Sequence, residues 1–270
     1  MALATLHRAA GPDLILFIHG LGCVKESFAG AWKAPGLERF SLLAPDLPGH
    51  GATGADEGGG RGGRMEDHAA ALEGLLGAYS YERLHIVGHS MGGAPGLMLA
   101  QGGVPGLASF MSVEGNLVAE DCSLVSRRAA GVNRETFVAE KFAKMLAAAA
   151  KSADADARMW TAWAERCDPA LFHAAGVSLV EWSDSERLLE IFRALDVPKL
   201  YVHGERTGIP AVLDRIPDQP QVCLPGLGHF PMTEDARTFH DVLADHLRPF
   251  MALAGGGPGR DGGPLNRAAR

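Results

Sequence analysis

The sequence reads as an α/β fold: a mostly parallel open sheet flanked by helices on both faces, with a helical cap inserted between the strand ending at Glu114 and the strand starting near Lys199. Three observations carry that reading. Short apolar, β-branched runs alternate with helical patterns, as they do when helices cover a parallel sheet. The alternation then stops between Glu114 and Lys199, where the sequence is helical and offers no strand-like run. Finally, 47% of the 270 residues are hydrophobic and 21% charged, a balance that buries a substantial core. The net charge of −7 argues against nucleic acid as a partner, since phosphate binding needs a basic surface.

Taken in order, the strand runs are 14–19 (LILFIH), 40–46 (FSLLAPD), 83–88 (RLHIVG), 108–114 (ASFMSVE), 199–204 (KLYVHG) and 221–225 (QVCLP). The segment before Leu14 leaves room for one further strand. Helical patterns occupy 65–78, 91–101 and 233–251 between or after these runs, and 134–150, 153–166 and 183–194 within the insertion. The expected organisation is a core of 1–114 and 196–252, a cap of 115–195 and a disordered tail over 253–270, whose composition is poor in apolar residues. The glycine-rich stretch 51–64 lacks the Gly-Lys-Ser/Thr ending of a phosphate loop and reads as a flexible surface connection.

Residues 1–11 contain no apolar stretch of the kind a signal peptide needs, and the run 14–18 is far short of the roughly 20 residues of a membrane span. Cys23, Cys122, Cys167 and Cys223 form neither a CxxC pair nor a metal-ligand spacing. The chain therefore reads as a cytoplasmic protein with reduced thiols, no metal, no organic cofactor and no membrane partner.

The chemistry is concentrated at three places. Gly88-His89-Ser90-Met91-Gly92 fits G-x-S-x-G directly after one strand and directly before a helix. A sharp strand-to-helix turn lifts the Ser90 hydroxyl above the sheet edge, at the positive end of the helix, and flanking glycines let the chain pass closely. The plain alternative is a glycine-rich turn with an incidental serine. A serine hydroxyl needs a base, and of the eleven histidines His229 alone follows the last strand and precedes the last helix, on the same sheet edge. His85 and His203 lie inside strand runs and read as core residues; His7, His240 and His246 read as surface positions, and His19 as a structural loop residue. His19-Gly20-Leu21-Gly22 follows the first long strand, so the N–H groups of Leu21 and Met91 are the natural pair of oxyanion donors. Cys23 adjoins that loop without a basic neighbour and reads as packing.

With these residues in place the chain resembles the α/β-hydrolase fold enzymes, in the serine-nucleophile branch of esterases, lipases and haloperoxidase-like proteins. The matches are HGLG at 19–22, PDLPGHG at 45–51, GHSMGG at 88–93 and GLGHFP at 226–231. The resemblance implies Ser90 as nucleophile, His229 as general base and Asp46 as a structural residue of a strand-end turn. It places the helical insertion at the family's cap position.

One position departs from the pattern. The family commonly carries its acid in G-x-x-D after the strand that follows the cap, and here Gly204-Glu205-Arg206-Thr207 puts threonine at the carboxylate position. Some members carry the acid one strand earlier, which points to Glu114. A solvated strand-end carboxylate is the alternative for Glu114, Glu205 is the runner-up acid, and Asp121 is a third candidate that also reads as a hinge or helix cap. The expectation is a carboxylesterase-like serine hydrolase acting on a small to medium ester, thioester or lactone through an acyl-enzyme. Phe137, Phe142, Met145, Trp160, Trp163, Phe172 and Trp182 could wall an acyl pocket, although most read as the core of the cap itself. The same constellation serves perhydrolases, lyases and aminopeptidases, and the fold also hosts ligand-binding members without turnover.

Overall fold

The computed structural model describes residues 2–54, 62–122 and 125–253. Residues 55–61 of the glycine-rich connection and 254–270 of the tail, for which flexibility and disorder are expected, lie outside the described residues. Seven strands form one sheet in the order β1-β3-β2-β4-β5-β6-β7. They are β1 (Thr5–Arg8), β2 (Asp13–Ile18), β3 (Ser41–Pro45), β4 (Arg83–His89), β5 (Leu107–Val113), β6 (Lys199–Gly204) and β7 (Gln221–Leu224). β1, from the segment with room for one strand, pairs antiparallel with β3; every other pairing is parallel.

Strand composition follows from burial. All six residues of β2 are buried, so its sequence is a continuous apolar run rather than an alternation. The exception, Asp13, is paired: Arg83 at the start of β4 grips it through two bonds of 2.6 and 2.7 Å and also donates to the Phe250 carbonyl. β3 lies on one side of β2 and β4 on the other, so the sheet changes direction there, with Ile18 opposite Gly88. The crevice at such a switch point, beyond the carboxyl ends of the strands, is where open α/β sheets bind ligands.

Helices flank the sheet in two groups. α1 (Met65–Leu76) and α2 (Gly93–Gln101) pack together, and α11 (Ala236–Leu253) packs with the 3-10 segment Lys25–Lys33. Between β5 and β6 the chain forms α3 (Ser126–Ala130), α4 (Arg134–Thr136), α5 (Phe142–Ala150), α6 (Ala155–Ala164), α7 (Pro169–Asp184) and α8 (Arg187–Ala194). Short helices α9 (Pro210–Leu213) and α10 (Pro231–Glu234) follow β6 and β7.

Three expected helices are cut differently. The pattern over 134–150 contains a π-helical turn, Phe137–Lys141, between α4 and α5. The pattern over 233–251 is α10 and α11, parted at Asp235. The pattern over 183–194 straddles two helices, because α7 runs to Asp184 and Glu186, at φ 55°, turns the chain before α8. α7, the longest cap helix, starts where Asp168 accepts the N–H groups of Ala170 and Leu171 ahead of Pro169, a strong N-terminal signal.

The cap has its own apolar centre. Phe137, Phe142, Phe172 and Trp160 are buried against one another, so these rings are cap core. His240, expected at the surface, is buried in α11 because its face of that helix packs under Gly30, while His7 is exposed. Among the described residues no helix is long and apolar enough to cross a membrane, and no group of three His, Cys, Asp or Glu side chains is placed to hold a metal.

Candidate active site

β4 delivers Ser90 to the sheet edge in a left-handed backbone conformation, φ 51°. A non-glycine residue pays roughly 1–3 kcal/mol for that region, so the surroundings must impose it. They do so through close approach: a Cβ on Gly92 would lie 2.3 Å from the Ile18 carbonyl oxygen, and one on Gly88 2.7 Å from the Gly93 Cα. Ser90 then opens a 3-10 turn, Ser90–Gly92, that runs into α2. Of residues 84–97, Ser90 alone is not buried.

His229 comes from the turn between β7 and α10 and is one-quarter exposed at its side chain. Its Nδ1 faces Glu114 Oε2 at 3.3 Å, while Glu114 Oε1 accepts the Gly204 N–H at 2.6 Å. Glu114 follows β5 directly, is 4% exposed and is itself left-handed at φ 52°. The Tyr201 hydroxyl donates to the Gly115 carbonyl at 2.9 Å and so fixes the turn that follows. Two neighbouring strands thus end in left-handed, non-glycine residues at one edge of the sheet. Among the described residues no hydrogen bond joins the Ser90 hydroxyl to His229.

The loop after β2 closes the other side. A Cβ on Gly20 would come within 3.1 Å of Ser90 Cβ, which puts this loop directly against the serine. Among the described residues the Leu21 N–H has no acceptor, and Met91 stands at the start of the helical turn, where amide N–H groups lack helical partners. The loop is held from below. His19 accepts the Leu47 N–H at Nε2, so its proton sits on Nδ1 and donates to the Gly20 carbonyl. Burial and the neighbouring His50 push the His19 imidazole down to about 3, which keeps it neutral and structural. Asp46 accepts from the Lys25 N–H, the Lys25 ammonium and the Ala52 N–H at 2.7–2.8 Å. Burial works to raise this carboxyl, and Lys25 with the amide donors outweighs it, leaving Asp46 below its ordinary value.

Sequence reasoning passes over His89. It is fully buried, and burial together with the nearby His229 pushes its imidazole well below its ordinary value. Its Nε2–H donates to the His229 carbonyl at 2.8 Å, tying the His229 backbone to the residue beside the serine. The available signal was a histidine at the last strand position before the turn.

The family model described as the alpha/beta hydrolase family matches residues 15–242. The chain belongs to this family. A 2-succinyl-6-hydroxy-2,4-cyclohexadiene-1-carboxylate synthase of Salmonella newport is 36% identical over 39% of this chain and 39% of its own length. An uncharacterized protein of Mycobacterium tuberculosis is 31% identical over 44% of this chain and 34% of its own length. The chain thus matches little more than a third of the length of these curated relatives. Among solved structures, the esterase of Exiguobacterium antarcticum superposes with TM-score 0.73 at 12% identity, covering 91% of this chain and 95% of that one. The N-acyl homoserine lactonase AidH gives TM-score 0.70 at 20% identity, over 91% and 92%.

Within this alpha/beta hydrolase the remaining candidates stand apart from His229. Glu205 is exposed and accepts the Gly226 N–H at 2.8 Å. Thr207 carries a buried hydroxyl without a partner among the described residues. Asp121 accepts the N–H groups of Leu117 and Val118 and the Asn116 amide, so it caps the turn that leads into the cap. Cys23 is buried, and burial followed by the nearby Cys167 raises its thiol, the opposite of what a nucleophilic cysteine needs.

Proposed function

We propose that the protein is a serine hydrolase that cleaves a small to medium ester, thioester or lactone through an acyl-enzyme on Ser90. The observation that carries this reading is the buried Glu114 carboxylate, with one oxygen held by the Gly204 N–H and the other facing His229 Nδ1. A carboxylate there keeps the proton on Nδ1 and leaves the Nε2 lone pair free to take the serine proton. Ser90 Oγ then bonds to the substrate carbonyl carbon, and the carbonyl oxygen takes the electron pair facing the Leu21 and Met91 amides. His229 returns the proton to the departing alcohol, thiol or lactone oxygen. Water, deprotonated by His229, releases the acid and restores the serine. The site uses no metal and no organic cofactor in this scheme, and its partner is a small acyl compound. The similarity to an esterase and a lactonase supports the same class of substrate. We read the core as residues 1–114 and 196–252 with a cap of 115–195, and the location as cytoplasmic.

The similarity to a synthase favours one second reading, a reaction other than ester hydrolysis on the same serine and histidine. A fluorophosphonate probe tests the first reading. Covalent labelling that disappears in Ser90→Ala is expected, together with turnover of p-nitrophenyl esters across a series of acyl lengths. Absence of Ser90-dependent labelling would sink the hydrolase proposal, and labelling without ester turnover would favour the second.

A further inference from the structure

One helix of the cap touches two of the loops that build the site. In α6, Asp156 and Trp160 are four residues apart and therefore share a face. The Trp160 indole N–H donates to the Leu21 carbonyl at 2.9 Å, and the residue is 6% exposed. Its ring occupies the place where a Cβ on Gly22 would stand, 2.6–2.7 Å away, and Gly22 has φ +74°. The indole thus lies on the backbone of the oxyanion loop, and only glycine admits it there. Anchoring the Leu21 carbonyl restrains the residue proposed above as an oxyanion donor.

At the N-terminal end of α6, Asp156 stands 3.5 Å from the Arg206 guanidinium, which also pairs with Glu234. Glu234 accepts the Gly228 N–H at 2.9 and 3.0 Å and the Phe230 N–H at 3.0 Å, the amides on either side of His229. The Asp156 carboxylate also closes over this turn, 3.1 Å from where a Cβ on Gly228 would be. The two loops leave β2 and β7, which β4, β5 and β6 separate in the sheet. The sheet's own hydrogen bonds set the strand ends, and α6 reaches both loops beyond them.

We propose that α6 is a positioning element for the reaction: Trp160 aims the Leu21 donor, and Asp156, through Arg206 and Glu234, holds the turn that carries His229. The inference rests on the acyl-transfer reading of Ser90, His229 and Leu21. Trp160 and Asp156 act through the loops, so their loss weakens the transition state more than it weakens substrate binding. The competing account is that a buried indole N–H simply needs an acceptor and found the nearest carbonyl.

The test is steady-state hydrolysis of p-nitrophenyl butyrate by the full chain, alongside binding of an alkyl trifluoromethyl ketone. Ser90 adds to that ketone's carbonyl carbon, the serine proton passes to His229, and the carbonyl electron pair becomes an oxyanion facing Leu21 and Met91. Trp160→Phe keeps an apolar ring and removes the donor. Replacement of Trp160 by β-(3-benzothienyl)alanine keeps the bicyclic shape, with sulfur in place of N–H, and serves if the phenylalanine variant does not fold. The expected result is a fall of about tenfold in kcat with KM within about twofold, matched by an equal loss of ketone affinity. Asp156→Asn is expected to lower kcat about threefold at unchanged KM. Full kcat in the benzothienyl form overturns the role of Trp160, as does a loss that falls on KM instead of kcat. If the wild-type protein neither hydrolyses the ester nor binds the ketone, the acyl-transfer reading fails first. If wild type does both and the variants match it, the α6 proposal alone fails.

Discussion

The neighbouring strands β5 and β6 each end beside a glutamate, and the two carboxylates meet different surroundings. After β5, Glu114 takes a left-handed conformation, turns inward, and is buried with one oxygen on the Gly204 N–H and the other on His229. After β6, Glu205 stays exposed and ties down the Gly226 N–H of the following turn. Both residues follow an apolar strand, and both stand close to the expected place for an acid. What separates them is the backbone. A positive φ at Glu114 reverses the chain at the strand end, and Tyr201 locks the reversal through the Gly115 carbonyl. The Gly204 amide bonds to Glu114, so β6 serves the β5 carboxylate as a hydrogen-bond donor.

Glu114→Gln is the largest test of that contrast. Glutamine keeps the shape and can still accept the Gly204 N–H, but then its NH2 group points at His229 Nδ1. The imidazole must accept there, its proton moves to Nε2, and the lone pair facing the serine is gone. We expect kcat to fall by about 10³–10⁴ with KM little changed and the fold intact by circular dichroism. A loss below tenfold would move the acid away from β5.

The pH dependence of stability has an acid boundary set by buried histidines that stay neutral in the folded protein down to about pH 4. Burial pushes His50 and His85 down to about 4 each, from an ordinary value of 6.5. The unfolded chain binds protons below about 6.5 that the folded chain refuses down to about 4, so this stabilisation is present above 6.5 and is lost as pH falls. By pH 5 each residue removes about 2 kcal/mol. Urea midpoints should therefore drop steeply between pH 7 and pH 5. A flat profile would show that these two rings reach water in the folded protein.

The strands could be read from sequence because both faces of the sheet are buried, which makes β2 a near-continuous apolar run and fills the middle of β4 with Leu84, Ile86 and Val87. The serine turn could be read because the close approaches at Gly88 and Gly92 tolerate only glycine and so leave a local pattern. Glu114 was identifiable as a carboxylate at a strand end, while its advantage over Glu205 lies in φ and in a donor ninety residues away along the chain. α7 escaped the periodicity because its less buried face carries Ala174, Val177 and Val180, so no continuous polar stripe marks a helical period. The contacts of His89 and Trp160 were invisible for a different reason. Each meets its partner across a separation of about 140 residues, and no local rule records such a meeting.

Tyr201→Phe sharpens the comparison from the other side. The ring is fully packed, so the variant removes one donor and leaves the buried Gly115 carbonyl unpaired. A cost of about 1–2 kcal/mol in stability is expected, measured by urea unfolding. If the bond also holds the turn at Glu114, kcat should fall several-fold while KM stays. Unchanged kcat with the stability loss would mean that the strand pairing alone holds the turn.

Glu205→Gln is the smallest of these effects and the cleanest control. The side chain is exposed, its partner is a single backbone amide, and glutamine can accept the same bond through its carbonyl oxygen. What the substitution removes is charge, and an exposed charge near the site is screened within about 8–10 Å at ordinary salt. Activity should stay within about twofold and stability within about 0.5 kcal/mol of wild type. A carboxylate that completed the triad could not be replaced so cheaply, since its charge is what stabilises the imidazolium as the serine proton arrives. A large fall in kcat here, with Glu114→Gln near wild type, would reverse the comparison and assign the acid to β6.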